Sequence, residues 1–532
     1  MLHPFSNNIA IDRSKCTFCG ICVDRCILDH MRLQMSPCRV SCPIGQNCHS
    51  YVQQIFRRQN EKGLATILES NPLPAVLGRI CHHPCQDACA RQQMDGKPIN
   101  IRALKRFLAE TVARPPWEGM KNIRPENVGI IGSGPAALMA AWHLHRHGYR
   151  VVVYEKENTP GGHLTRTIPE FRLPRKVALG DIQRLESAGV EFRLNAQIGA
   201  DREFNDWRKR QAAILVAAGT TIPVGLNIAG EDAPNVYSAV PFLEGVKSGH
   251  RPHLGRSVVV IGGGNVAIDA AQTARRLGTE FVRMACLERR EEMPAHADSI
   301  TEAVEENVAI ECGWGPRSFQ MNGSKAAAVN CELCVCVWKD QCFAPEFNCQ
   351  VGKTFHADSF IVAVGIRPDQ KMLDSFGLSP GDENGKIVDP LTGETGIAGV
   401  FAAGDIIGGA GSVVEAMASG RRAAISIDRY LRGVDLRYGR AYPGPLITDF
   451  PIPKEGASGT PPQETDRIPP SERKGMEESD RGFGETEAFQ ESTRCLSCGV
   501  PVGCNDSCWY CLPCEVSCPE DALRVEIPSL IR

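Results

Sequence analysis

No run of about 18 apolar residues occurs in this 532-residue sequence, so nothing in it reads as a membrane span. The polar stretch Met1–Lys15 has no apolar core after it, so no secretory leader is read. A formal net charge of −3 offers no field for nucleic acid or an anionic membrane surface. No repeat in the solenoid range is visible, and no nucleophile–base pair presents itself. What is left is ordinary: 23% charged and 42% hydrophobic residues, typical of a soluble globular protein. The chain is too long for one core, so about three or four domains are expected. The expected location is the cytoplasm, where thiols stay reduced and dense cysteine means metal or redox chemistry.

Cysteine is abundant, and it is unevenly spread. Of 24 cysteines, ten lie between Cys16 and Cys89 and seven between Cys495 and Cys518. The spacing C-x2-C-x2-C-x3-C occurs once at each end, at Cys16, Cys19, Cys22, Cys26 and at Cys508, Cys511, Cys514, Cys518. It folds a loop in which three thiolates grip one face of a [4Fe-4S] cube, while the fourth usually serves a second cluster. Three to four such clusters are expected.

The character of the chain changes along its length. Residues 1–115 read as a helical iron–sulfur domain, with helical periodicity over Tyr51–Leu68 and Ile101–Val112. Strands are expected at Val128–Ile131, Val151–Tyr154, Val258–Ile261 and Ile361–Val364, in two α/β units with the second inserted in the first. The resulting boundaries are 116–250 and 366–432 for the outer unit and 251–365 for the inserted one. Residues 433–490 are rich in Pro and Gly and read as a linker, and 491–532 as a ferredoxin-like domain.

Two glycine loops carry the nucleotide chemistry. Gly132, Gly134 and Ala137 form G-x-G-x-x-A after the first strand. Glu155 ends the next strand, where it can bond a ribose hydroxyl. Gly262, Gly264 and Ala267 repeat the motif, followed by Asn265 and Val266 at the start of a helix. The strand from Phe281 ends at Glu288, Arg289 and Arg290. The acid favours the free 2′-hydroxyl of NAD, and the arginines favour NADP. The balance leans to NAD, because Glu288 would repel a phosphate.

The order of Gly161-Gly162, then Val400–Asp405, then Gly411–Ala416 resembles two-dinucleotide-domain flavoproteins of the glutathione-reductase type. By that resemblance the first loop takes FAD, Asp405 bonds the ribityl chain and the 412–424 helix points at the ring. Further stretches resemble the small subunit of glutamate synthase and the N-terminal part of dihydropyrimidine dehydrogenase. They are Gly78–Cys81 through Cys85 and Cys89, Ile101–Leu104, Gly132–Pro135, Ile168–Pro174, Gly262–Asn265, Glu292–Ala295 and residues 400–405. The resemblance covers about residues 38–432. It implies FAD held by Gly132, Gly134, Pro135, Ala137, Glu155, Gly162, Leu164, Arg172, Gly404, Asp405, Ser412 and Val413. It implies NAD(P) held by Gly262, Gly264, Asn265, Val266, Glu288, Arg289, Arg290 and Gly365, and two N-terminal clusters on Cys38, Cys42, Cys81, Cys85 and Cys89.

Two departures stand out. The family has a C-x2-C pair shortly before the segment of Cys38 and Cys42, and here it is missing. The family also places a Gln or Glu ligand where this chain has Lys105, and an ammonium has no lone pair to give. Cys26 and Cys48 are then candidates for the missing fourth ligand, with a plain buried thiol the other reading of Cys48. The C-terminal run Cys495, Cys498, Cys504 and Cys508–Cys518 resembles bacterial ferredoxins. Its seven thiols are one short of two cubes, so a second cluster there would need an outside ligand. Cys331, Cys334 and Cys336 read as structural thiols on a strand, and of His143, His145 and His147 only the first and last share a helix face, read as solvated rather than as a zinc site.

The function expected is an FAD-dependent NAD(P)H oxidoreductase passing electrons to iron–sulfur clusters and on to ferredoxin or a catalytic partner subunit. An aldehyde, formate, CO, hydrogen or acyl-CoA oxidoreductase would fit as partner. Alternatives are the small subunit of glutamate synthase, a flavin-based bifurcating subunit, or a non-catalytic relay.

Overall fold

The computed structural model describes residues 8–27, 30–114, 117, 123–199, 204–340, 342–378, 388–409, 411–440, 444–452, 454–503 and 508–526. The chain divides into two compact units. One comprises Met1–Trp117, Arg432–Asp466 and Gly482–Arg532, and the other Glu118–Leu431 and Arg467–Arg481. The two cysteine-rich ends, expected as separate domains, thus lie in the same unit.

The cysteine-rich unit has a helical part and a small β part. Helices Cys48–Phe56, Asn60–Leu68, Pro74–Ile80 and Ile101–Thr111 form the first. Asn47 and Asn100 cap two of them, their side-chain oxygens accepting from Ser50 N and Ala103 N. Their apolar faces meet in a core of Tyr51, Val52, Ile55, Ile67, Leu104, Phe107 and Leu108. Phe483 and Ala488 of the C-terminal segment complete that core, the latter on helix Glu485–Thr493. Part of the expected linker is therefore a packed helix. In the β part, Ile9–Ile11 pairs antiparallel with Leu523–Val525, and Met31–Gln34 with Pro501–Gly503. Each terminal cysteine run thus sits between strands that pair with the other end of the chain. Ile9, Val23, Met31 and Leu33 share a core with Leu523 and Val525.

The other unit is built on two parallel sheets. The first has the order Val400–Ala402, Ala213–Val216, Asn127–Ile131, Arg150–Tyr154, Glu191–Arg193. The second has Val308–Cys312, Phe281–Cys286, Ser257–Ile261, Ser359–Val362, Val236–Ser238. The central strands are near-continuous apolar runs because helices cover both faces. The second sheet falls between strands Ala213–Val216 and Val400–Ala402 of the first, which is the expected insertion. A three-stranded antiparallel sheet, Trp314–Asn322, Lys325–Lys339 and Cys342–His356, follows the last inserted helix. Residues 467–481 pack here: buried Arg276 pairs with Glu306 at 2.6 Å and donates to Glu477 O and Ser479 Oγ.

Candidate functional site

In the cysteine-rich unit all the described thiols except Cys42, Cys81 and Cys85 line one of three cavities. One of about 360 Å³ is lined by Cys16, Cys19, Cys22 and Cys518. Another of about 340 Å³ is lined by Cys26, Cys508, Cys511 and Cys514. The third, about 400 Å³, is lined by Cys38, Cys48, Cys89, Cys495 and Cys498. Beside it lies Cys48, itself buried, whose pKa is driven up by the neighbouring thiols of Cys38, Cys42 and Cys85 and by burial. The neighbouring Cys48 thiol brings the Cys42 thiol down to about 6, against burial. Lys105 is buried against Cys81, Cys85, Cys48 and Cys42. Burial alone would lower its pKa, but the thiolate field outweighs it and the net direction is up.

Cys26, a candidate for the helical part's fourth ligand, lies instead with the C-terminal run. Cys504 lies outside the described residues. Among the described residues no group of three or more His, Cys, Asp or Glu could hold a metal ion. A cube differs from a single ion in needing its thiolates apart, one per iron, around a cavity.

At the first glycine loop, Gly132 has φ +93°, and a Cβ there would lie 2.5 Å from Ala217 O. Gly134 faces open space, the room a pyrophosphate needs, at the start of helix Pro135–Arg146. Glu155 Oε2 accepts from Ser133 N at 3.1 Å and from its hydroxyl at 2.5 Å, and Ser133 Oγ accepts from Gly161 N at 2.9 Å. A Cβ on Gly162 would meet Gly134 Cα at 3.2 Å, so Gly161–Gly162 backs directly onto the loop. Leu164 is fully buried. Ser133 was not singled out in the sequence, although its place inside the motif was a signal.

On the other side of the loop, helix Val413–Leu431 lies against helix Pro135–Arg146 so closely that a Cβ on Gly420 would come within 2.0 Å of Ala136 O. Gly404 N donates to Ser419 Oγ, and a Cβ at Gly404 would meet Ala136 Cβ at 3.0 Å. Burial pushes the Asp405 carboxyl up, while His163 and the Gly411 amide oppose it. Ser412 donates to Glu415 just before Val413.

Arg172 is placed elsewhere. Its guanidinium meets Asp269, Gln272 Oε1 (2.7 Å), Ser299 Oγ (3.3 Å) and Glu302 (3.5 Å), on the helices of the inserted sheet. It ties the Ile168–Pro174 stretch to that domain. Lys247 does the same from a fully buried position, donating to Leu164 O, Ile168 O and Leu173 O at 3.2, 2.5 and 3.0 Å.

The second loop repeats the first. Gly262 has φ +140°, with Ala363 O 2.4 Å from where a Cβ would be, and Gly264 faces open space. A Cβ on Gly263 would lie 2.5 Å from Glu288 Oε2, so that carboxylate rests on the loop where a ribose edge would lie. Arg289 and Arg290 are exposed, in and beside a short 3-10 turn. Asn265 Oδ1 accepts from His296 N, Val266 packs on the domain core, and Gly365 O accepts from Val224 N.

Comparison with known proteins agrees with these loops. Residues 126–420 match the family described as pyridine nucleotide-disulphide oxidoreductase, and residues 21–116 match the dihydropyrimidine dehydrogenase domain II, 4Fe-4S cluster. The chain belongs to the pyridine nucleotide-disulphide oxidoreductase family. It is 32% identical to the NADP(+)-dependent formate dehydrogenase subunit beta of Moorella thermoacetica, over 87% of this chain and 70% of that one. It is 33% identical to the NAD-dependent dihydropyrimidine dehydrogenase subunit PreT of Escherichia coli (strain K12), over 77% and 93%. It is 29% identical to the NADPH-Fe(3+) oxidoreductase subunit beta of Geobacter sulfurreducens (strain DL-1 / KN400), over 87% and 75%. Among solved structures, FprA from Mycobacterium tuberculosis shares the fold at 19% identity and a TM-score of 0.50, over 58% of this chain and 85% of that one.

As a member of this family the chain is an oxidoreductase with FAD, NAD(P) and [4Fe-4S] centres. The residues present fit those groups: glycine loops open toward a pyrophosphate, and cavities walled by thiols. Some of the other cysteines have local partners or are buried. Cys334 and Cys336 donate to backbone carbonyls within their own strand, and burial pushes the Cys331 thiol up to about 12. Among the described residues no helix is long and apolar enough to cross a membrane.

Proposed function

We propose that this chain is the NAD(P)H-linked electron-transfer subunit of a larger cytoplasmic redox complex, exchanging electrons with ferredoxin or a catalytic partner. In this reading Gly132, Gly134, Glu155, Gly162, Gly404 and Asp405 hold FAD, and Gly262, Gly264, Asn265, Val266 and Glu288 hold the nicotinamide nucleotide. Bound there, FAD would supply the chemistry that accepts a hydride from NAD(P)H, with NAD(P)+ as the product, and would pass the two electrons one at a time to [4Fe-4S] centres. The protein's own part is to position the groups and exclude water. Gly132 and Gly262 let backbone approach phosphate, and Glu155 and Glu288 select ribose.

The observation that carries the reading is the presence in one chain of two open glycine loops and of cavities walled by thiols. The three relatives compared above are each named as a subunit, which supports a partner. A formate, aldehyde, CO, hydrogen or acyl-CoA oxidoreductase is the class that fits.

The test is anaerobic spectroscopy of the purified chain. NADH or NADPH should bleach the flavin's blue absorption, and ferredoxin or a viologen should then be reduced. No bleaching with either nucleotide overturns the reading. So does reduction by the chain alone of an organic substrate other than a dye.

A further inference from the structure

We propose that the two ends of the chain jointly close four [4Fe-4S] sites, each held by four cysteines, and that three of the four take thiolates from both ends. The proposal rests on the presence of iron–sulfur centres in the reading above, but not on any partner.

The cavities make the assignment. Cys16, Cys19 and Cys22 share theirs with Cys518, while Cys508, Cys511 and Cys514 share theirs with Cys26. Each run therefore gives its fourth cysteine to the other run's cube, the exchange known in two-cluster ferredoxins. Here the two halves are separated by almost the whole sequence and joined by strand pairing. The exchanged cysteines are equivalent in detail. His30 N donates to Cys26 Sγ at 3.2 Å and Ala522 N to Cys518 Sγ at 3.3 Å, each from four residues on. An amide aimed at a sulfur favours the thiolate a cluster needs.

The third site takes Cys38, Cys89, Cys495 and Cys498, four of the five cysteines that line its cavity, and leaves the fifth, Cys48, to the fourth site. Cys495-x2-Cys498 is thus the pair missing upstream of Cys38, supplied from the other end of the chain. Its backbone supports this. In three C-x2-C loops, Cys16–Cys19, Cys508–Cys511 and Cys495–Cys498, the residue before the second cysteine is left-handed, at Phe18 (φ 56°), Tyr510 (φ 55°) and Ser497 (φ 52°). So is the residue after it, at Gly20, Leu512 and Gly499. Non-glycine residues adopt this conformation rarely, and bulky ones at a cost. Three loops with the same pattern indicate one shared task.

The Cys495 loop is also firmly seated. Arg494, fully buried, bonds Glu491 at 2.6 Å, Lys97 O at 2.9 Å and Asp95 at 3.2 Å, and its own carbonyl accepts from Arg91. His49 stacks on Phe18 at 3.9 Å and bonds Ser497 Oγ at 3.0 Å, linking two of the loops. The fourth site takes Cys42, Cys81 and Cys85, with Cys48, which is buried in the same core cluster as Cys85, in the place left by a family ligand and not filled by the buried Lys105, whose ammonium has no lone pair. Four cubes then use every terminal cysteine except Cys504.

Iron and acid-labile sulfide counts on the full chain test the proposal, with low-temperature EPR to count reduced cubes. The wild type should hold about sixteen irons. Cys22→Ala/Cys518→Ala should lose one cube, because both serve the same site. Cys22→Ala/Cys26→Ala should lose two. The reverse pattern overturns the exchange. Cys38→Ala/Cys498→Ala should lose one cube, and a loss of two overturns the third site. Flavin bleaching by NAD(P)H reports separately on the nucleotide-binding unit and should persist in all of them.

A measurement on the wild type covers variants that fail to accumulate. Alkylation with peptide mass spectrometry should find Cys511, exposed in the polypeptide, protected until iron is chelated. Labelling of Cys511 or Cys518 in the iron-replete chain overturns the proposal.

Discussion

Replacing Lys105 with Met removes one positive charge from beside Cys42, Cys48, Cys81 and Cys85. The ammonium is buried and its pKa lies above that of an ordinary lysine, burial opposing and the thiolates prevailing, so it is charged at neutral pH. Reducing a cube adds negative charge, so Lys105 stabilises the reduced form and raises the potential. A unit charge at about 4 Å in an effective dielectric of about 20 is worth about 4 kcal/mol. At about 59 mV per 1.4 kcal/mol for one electron, that is an upper bound of about 170 mV. The cube spreads its charge over a body wider than one atom, so about half that bound, about 80 mV, is the expected drop in Lys105→Met. Lys105→Arg should hold the wild-type value within about 30 mV, because the charge stays. The assay is an EPR-monitored redox titration, with iron content checked to show that the cube is still present. An unchanged potential in Lys105→Met, with full iron, would refute the reasoning.

Three further outcomes follow from the nucleotide-binding unit. Wild-type chain should prefer NADH, and Glu288→Ala should improve the KM ratio for NADPH about tenfold by removing a charge repulsion of about 1–2 kcal/mol, read from steady-state flavin reduction. Gly420→Ala should force the two helices apart where Ala136 O leaves no room, costing about 1–3 kcal/mol and lowering flavin content while iron content is kept. Burial brings the Lys247 pKa down to about 8, so between about 8 and 10.5 the unfolded chain binds the extra proton and stability rises with pH. Between pH 7.5 and 9.5 the wild type should gain about 2 kcal/mol relative to Lys247→Met, measured by denaturant-induced flavin release, and a falling difference would contradict the sign.

Much of the nucleotide-binding unit was legible because its signals are local. Strand, glycine loop, helix and terminal acid follow one another within about 30 residues at each nucleotide site, so Gly132, Glu155, Gly262 and Glu288 could be read before any contact was known. Arg172 shows the limit. Its neighbours in sequence suggested the flavin, but its partners Asp269, Gln272, Ser299 and Glu302 come from helices about 100 residues on, which no local pattern encodes.

The cysteines show the same limit more sharply. Spacing dictates the shape of a loop, and so the C-x2-C runs could be seen. It does not say which loop faces which. Cys22 and Cys26 are four residues apart, yet strand Ile9–Ile11 pairing with Leu523–Val525 sends them to different cavities, one shared with Cys518 and one with Cys514. The pair that looked absent before Cys38 was always in the sequence, at Cys495 and Cys498. The shared cavity and the network of buried Arg494 and Glu491 with Asp95 show where it goes. That network gives the argument a consequence in energy. Removing Arg494 leaves Glu491, itself fully buried, without its charge partner, a loss of about 3–5 kcal/mol. If Cys495 and Cys498 complete the third site, Arg494→Met must release iron from that site before it disturbs the cube at Cys42, Cys81 and Cys85. If instead the C-terminal run were an independent ferredoxin, the same substitution would leave the helical part's iron untouched.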